Sequence, residues 1–388
     1  MILKKLAYSE KSPTLKKWEL EEFSLGQINL IVGKNASGKS RTLSAINGLA
    51  NLVSDAKKLT FVSGHYISAF QNESEEIEYE LLFESSKVMR EIFKKNGKSL
   101  LDRGGGGEGD IWSQAEGKSI RFQSPEDQIA SKVKRDKIQH PFFEELYDWG
   151  NNTVLYSFSS KLGQDKLAVF HKTDKEPEIS FKDTERVAYF FKRAFRVYGN
   201  DFKKIIISEM CKIGYDISDV DVNEAPNITF SIEGPLQLPP NVLTPSLVYV
   251  KENDLPGFTY QTEMSQGMFR ALSLLIQMNA SKLLKIPSTI IIDDIGEGLD
   301  YERSTELVKV LIEKIEGTSS QLIMTTNDRF IMNNVSIEYW HVIQRKGNSV
   351  KMINYANSKQ IFEDFKFTGL NNFDFFRTDF YEKGLEAE

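Results

Sequence analysis

The sequence predicts an α/β fold: a mixed sheet with flanking helices, carrying an inserted α+β or helical lobe. Three stretches predict it. Residues 28–32 form an apolar run that enters Gly33-Lys34-Asn35-Ala36-Ser37-Gly38-Lys39-Ser40-Arg41, and a helical pattern follows with Leu43, Ile46, Leu49 and Leu52. Residues 289–294 form a second short apolar run that ends in Asp293 and Asp294. Ahead of it, Met264-Ser265-Gln266-Gly267-Met268 opens another helical pattern, with Phe269, Leu272, Leu275, Ile276 and Leu283 as its stripe.

The bulk composition fits such a fold. The chain has 388 residues, 40% hydrophobic and 27% charged, enough for a large core in one or two domains. A net charge of -6 excludes a chain-wide basic field. The single Cys211 excludes an intrachain disulfide and a cysteine metal site, and fits a reducing cytosol. His65, His140, His171 and His341 show no ligand spacing. No apolar run approaches the ~20 residues of a membrane span. The first residues read as a strand and not as a signal peptide, so a cytoplasmic location without membrane contact is expected.

Along the chain, residues 2–8 and 18–32 read as strands with a polar turn at 9–14. Further strands are expected over 59–70 and 76–83, a helix over 86–95, a mobile glycine turn over 103–109, and a hairpin over 111–122. A helix restarting at Pro141 is expected over 128–149, then short strands over 154–159 and 167–170, and a helix over 183–198. Strands over 229–232, 246–250 and 321–325 and a hairpin over 339–355 complete the pattern. The expected division is a discontinuous head, 1–60 and 245–358, an inserted region, 61–244, and an aromatic-rich tail, 359–388.

Strand, glycine-bounded loop and helix are the context of a phosphate-binding loop. Gly33 and Gly38 permit backbone angles that leave successive N–H groups facing inward. Those donors and the helix start cradle a polyphosphate. Lys39 brings a point charge to the β/γ-phosphates, and the Ser40 hydroxyl suits Mg²⁺. Asp293 is placed to hold the Mg²⁺ shell. Ser265 is a good N-cap, and its helix start can meet an anion.

In this order the motifs resemble the ABC-type ATPase heads. The chain is similar to their SMC/RecF/OLD branch, in particular to stand-alone AAA-family ATPases of bacterial anti-phage defence. The resemblance implies ATP and Mg²⁺ as cofactors. Asp293 matches the magnesium aspartate, and Asp294 stands where the class usually has a glutamate that polarises the attacking water. Ser265 and Gly267 keep the serine and second glycine of the Leu-Ser-Gly-Gly-Gln signature. Gly298-Leu299-Asp300 resembles the D-loop, and Asn327 replaces the switch histidine. Glu297 is a further candidate base, and Gln71, Gln123 and Gln128 compete for the Q-loop role.

In the family, Lys39 and Ser40 of one head would clamp ATP against Ser265 and Gly267 of another. That implies a homodimer, or a higher oligomer, joined through an ATP sandwich. It also implies a separate effector protein, a nuclease among the candidates, since no nuclease-type acidic cluster follows the last hairpin. Two basic runs, Lys132 to Lys137 and Lys192 to Arg196, read either as solvated helix faces or as a phosphate grip for nucleic acid. Two other readings stand beside this one: a RecF-type DNA-repair ATPase, and a slowly hydrolysing interaction scaffold. The phenylalanine-dense tail either docks on its own head or anchors a partner.

Overall fold

The computed structural model describes residues 1–10, 17–54, 63–171, 180–225, 243–284, 286 and 288–384. The strand expected over 229–232 and most of the 9–14 turn lie outside them. The chain forms two compact units: Met1–Leu155, Pro287–Asp294 and Ile312–Glu388 make the first, and Tyr156–Ile286 and Ile295–Leu311 make the second.

The first unit is built on one sheet. Its strands are β1 (Ile2–Ser9), β2 (Glu19–Ser24), β3 (Ile28–Val32), β4 (Ser63–Asn72), β5 (Glu75–Glu84), β6 (Lys87–Lys95), β7 (Lys98–Arg103), β8 (Glu108–Ser113), β9 (Lys118–Gln123) and β10 (Thr153–Ser157). Beyond the second unit's main segment, β15 (Thr289–Asp293), β16 (Gln321–Thr326), β17 (Trp340–Lys346) and β18 (Ser349–Asn354) join them. The order is β10-β15-β16-β3-β17-β18-β2-β1-β4-β5-β6-β7-β8-β9. β3 pairs in parallel with β16 and β17, and β15 pairs in parallel with β16. Every residue of β3 is buried, as a strand covered on both faces requires.

The run expected as one strand over 18–32 is broken at Leu25-Gly26-Gln27. There the Gly26 N–H turns inward to Asn29 Oδ1 at 2.7 Å. The helix expected over 86–95 is the strand β6 instead. Val88, Ile92 and Phe93 imitate helical spacing, but β6 pairs antiparallel with β5 and β7. The signal that decides it is the turn chemistry. Asn96 and Gly97 have φ of 50° and 74°, the type I′ pattern of a tight hairpin.

The glycine run expected as a mobile turn is close-packed at Gly107 and Gly109, while Gly104 and Gly106 meet open space. A Cβ on Gly107 would lie 2.0 Å from the Ser124 carbonyl oxygen, and one on Gly109 2.3 Å from that of Asp102. The hairpin expected over 111–122 is present as β8 and β9. The helix expected over 128–149 is two short ones, α2 (Ala130–Val133) and α3 (Phe143–Asn151). α3 lies on α1 (Lys39–Ser54), where a Cβ on Gly150 would meet the Ala50 carbonyl at 2.6 Å. The β4–β9 meander thus shares a sheet and a core with the phosphate-loop strands, so the unit limits do not coincide with the boundaries expected at 60 and 245.

In the second unit, β12 (Ile217–Glu224) and β11 (Ala168–His171) flank β13 (Leu243–Glu252), with β14 (Thr259–Tyr260) also on β13. Helices α4 (Val187–Tyr198) and α5 (Asn200–Lys212) pack on α6 (Gln266–Leu283). α5 and β12 have no counterpart in the sequence expectations. α6 is buried around nearly its whole circumference rather than along one stripe. α7 (Tyr301–Ile315) crosses the limit between the units, and α8 (Arg329–Asn334) follows β16.

The tail folds as α9 (Tyr355–Lys366), α10 (Asn372–Arg377) and α11 (Phe380–Lys383). Its Phe362, Phe365, Phe375 and Phe380 are buried, and Phe375 meets Trp340 of β17 edge-on. The aromatic tail therefore docks on its own unit. Among the described residues, no helix is long and apolar enough to cross a membrane.

Candidate nucleotide site and signature cluster

The parallel pairing delivers the acidic run to the phosphate loop. β15, β16 and β3 lie side by side, so Asp293, Thr326 and Val32 end neighbouring strands at one edge. The loop from Gly33 to Gly38 then turns into α1. Gly38 has φ 108° and Ala36 φ 62°, so the turn uses the left-handed region twice, once without a glycine. Gly33 is not in that region. It is required by packing, since a Cβ there would lie 2.3 Å from Ile343 Cγ2.

Lys39 is buried against the loop. Its Nζ donates to the Gly33 carbonyl at 2.8 Å and to Asn327 Oδ1 at 2.7 Å. Burial lowers its pKa, and the nearby Asp294 and Asp293 charges oppose that shift. Ser40 Oγ donates to Asp293 Oδ1 at 3.1 Å. Thr325, which the sequence did not single out, donates to the same Oδ1 at 2.7 Å. Its hydroxyl also accepts the Asp294 N–H at 2.8 Å. Asp294 itself has φ 53°. A non-glycine residue held there persists only where its surroundings over-determine it.

These residues fit a magnesium polyphosphate. The first-turn amides of α1 lack intrahelical acceptors, as at any helix start. Ser37 Oγ is buried without a partner. Ser40 and Asp293 supply hard oxygen donors, and no cluster of three metal-ligating side chains exists among the described residues. A Mg²⁺ that brings substrate phosphates as ligands suits such a sparse donor set.

The remaining loop residues face elsewhere. Lys34 lies 3.7 Å from Asp379 of the tail, and Arg345 donates to the Ala36 carbonyl at 3.4 Å. A cleft of about 400 Å³ opens there, lined among others by Asn35, Ser37 and Tyr381. Arg41 pairs with Glu10 at 2.6 Å and lies 4.8 Å over the Trp18 ring. Gln71 ties its amide to the Glu73 and Glu75 carbonyls, and none of the three candidate glutamines lies on β10, the strand beside β15.

The second unit holds the signature segment. Ser265 caps α6, accepting the Met268 N–H at 3.2 Å. Gly267 packs against the turn after β15, where a Cβ would lie 2.3 Å from the Gly298 carbonyl oxygen. Arg270 fastens this contact, donating to the Glu297 carbonyl at 2.8 Å and to that of Ser160 at 3.2 Å. Gly298 has φ 82° and lies close under the same guanidinium. Tyr215 shares a hydroxyl contact with Ser265, and burial pushes its phenol up to about 12. Arg303 lies over the Tyr215 ring at 4.4 Å and pairs with Asp300 at 2.7 Å. Signature serine and D-loop-like aspartate thus belong to one network, which their spacing in sequence does not reveal.

The basic runs are engaged locally. Arg135 lies 3.4 Å over Tyr147 and 3.4 Å from Glu144, and Lys192 lies 3.6 Å over Phe170.

Among solved structures, the chain is similar to an SMC head bound to the C-terminal winged-helix domain of ScpA. The TM-score is 0.54 at 16% identity, covering 91% of this chain and 98% of that one. A Pyrococcus furiosus SMC head with an extended coiled coil, bound to the C-terminal domain of ScpA, gives 0.50 at 14% identity, covering 94% and 99%. No curated protein matches. The family described as "AAA domain, putative AbiEii toxin, Type IV TA system" matches residues 28–333. That span holds the phosphate loop, both aspartates and the signature helix, so the chain belongs to this AAA-domain family, and its fold is that of an SMC head.

Proposed function

We propose that this protein binds and hydrolyses Mg-ATP and uses the nucleotide as a switch that joins two copies head to head. The observation that carries the reading is the convergence of Lys39, Ser40, Asp293 and Asp294 at one sheet edge. Lys39 offsets charge on the terminal phosphates. Asp294 accepts a proton from the attacking water, and Asn327, a neutral amide, can donate to the γ-phosphate. Ser40 and Asp293 would hold Mg²⁺, which when bound neutralises charge that builds on the phosphate oxygens. Ser265 and Gly267 complete the site of a second copy, as the ABC resemblance implies. Assembly then controls a separate effector in the anti-phage setting that the same resemblance suggests.

Asp294→Asn tests this. Removing a general base typically costs ~10²–10⁴-fold in rate. The variant should keep ATP and accumulate ATP-dependent dimers by light scattering. Unchanged hydrolysis moves the base role elsewhere, with Glu297 next in line. An Asp294 carboxylate shorter than the usual glutamate also suits a slow scaffold, and single-turnover hydrolysis separates the two readings.

A further inference from the structure

We infer that Thr325 is a positioning residue for both carboxylates of the acidic strand end, and through them for hydrolysis; this rests on the nucleotide reading above. Thr325 is fully buried on β16. Its hydroxyl has one hydrogen and two lone pairs, and both of its partners are fixed in role. The Asp293 carboxylate at 2.7 Å can only accept, and the Asp294 N–H at 2.8 Å can only donate. The hydroxyl therefore has a defined orientation.

Two consequences follow. Asp293 Oδ1 is held from two sides, by Ser40 of α1 and by Thr325 of β16, which fixes the carboxylate's rotation. The peptide entering Asp294 is anchored at its nitrogen, on the residue whose φ is 53°. Positive φ in an aspartate needs such restraint. A threonine that merely filled the strand would need neither bond.

Thr325→Val removes the hydroxyl and keeps the shape. Outer-shell partners of this kind typically carry about 10–100-fold in activity or metal affinity. We expect kcat for ATP to fall by that factor with KM nearly unchanged. In fluorescent-ATP binding, the half-saturating Mg²⁺ concentration should rise by about the same order. Thr325→Ser should recover most of both effects.

Wild-type rates and Mg²⁺ dependence in Thr325→Val would overturn the assignment. So would equal losses in the valine and serine variants that track a lowered melting temperature, since packing alone would then explain them. If the wild type binds but does not hydrolyse ATP, the hydrolysis reading fails separately. The Mg²⁺ shift alone then decides: its presence supports the role of Thr325, and its absence overturns it.

Discussion

His341 shows how a single buried side chain can set the pH response of the fold. It lies on β17, where its Nε2 meets Asn29 Oδ1 at 3.0 Å and its Nδ1 meets Asn354 Nδ2 at 3.1 Å. An amide oxygen accepts and an amide nitrogen donates, so the ring is neutral with its proton on Nε2. Burial pushes its pKa down to about 4 from 6.5. Between these values the unfolded chain binds more protons than the folded one. The stability it contributes is present above pH 6.5 and is lost as pH falls toward 4. The loss approaches ~1.4 kcal/mol per pH unit inside that window. Urea midpoints from pH 7.5 to 4.5 should fall, and His341→Gln should flatten the slope. An unchanged slope assigns the acid sensitivity to other groups. At this scale the sequence was legible where chemistry is encoded locally, as in Lys39, Ser40 and Asp293. Thr325 and Arg270 were not legible, because their partners are set by strand register and by a turn about thirty residues away.

At the scale of elements, the β4–β9 meander carries a charged pair in its core. Glu91 of β6 and Arg103 of β7 are both fully buried, 3.5 Å apart. Glu91 also accepts the Ala130 and Ser131 N–H groups at 2.6 and 2.9 Å, so a strand carboxylate caps α2. Arg103 donates to the Gln128 and Pro125 carbonyls at 2.6 and 2.8 Å. Removing one partner of such a pair strands the other, at a cost of about 3–5 kcal/mol. Glu91→Gln and Arg103→Met should each lower the denaturant midpoint strongly, and the double variant should lose less than the sum. Additive losses would show that the two side chains act independently. β6 of this meander is not legible in the sequence, because its apolar spacing favours a helix and the Asn96-Gly97 turn that decides it lies just beyond the strand. The strands that carry the phosphate loop and the acidic run were legible, since short apolar runs ending in glycine or aspartate leave few alternatives.

At the scale of the whole molecule, the dimer reading makes a demand on mixtures. Ser265→Arg places a bulky cation at the start of α6, and Lys39→Ala removes the loop's charge. Each variant alone should be inactive as a dimer. In a heterodimer of the two, one composite site carries both lesions and the other carries neither. ATPase activity should therefore reappear on mixing, provided one good site suffices. Full hydrolysis by a monomer across dilution, or unchanged kinetics in Ser265→Arg, would reduce the signature to a helix cap. The motifs of this site could be read from sequence, as could β11, α4, β13 and α6 of the second unit, but α5 and β12 could not. These two carry no motif; α5 is placed by packing on a helix buried on nearly every side, and β12 by pairing with β13.

The placement of β3 also bears on how the protein is made. β3 emerges roughly three hundred residues ahead of both strands that flank it, β16 and β17. At ~5–20 residues per second of synthesis, the strand waits for a quarter of a minute to a minute without its neighbours. Through that interval a segment apolar but for Asn29 has two unpaired edges, an aggregation hazard. The phosphate loop is thus translated well before the strands that complete it. A ribosome stalled in the second unit would hold out a phosphate loop that still lacks both neighbouring strands.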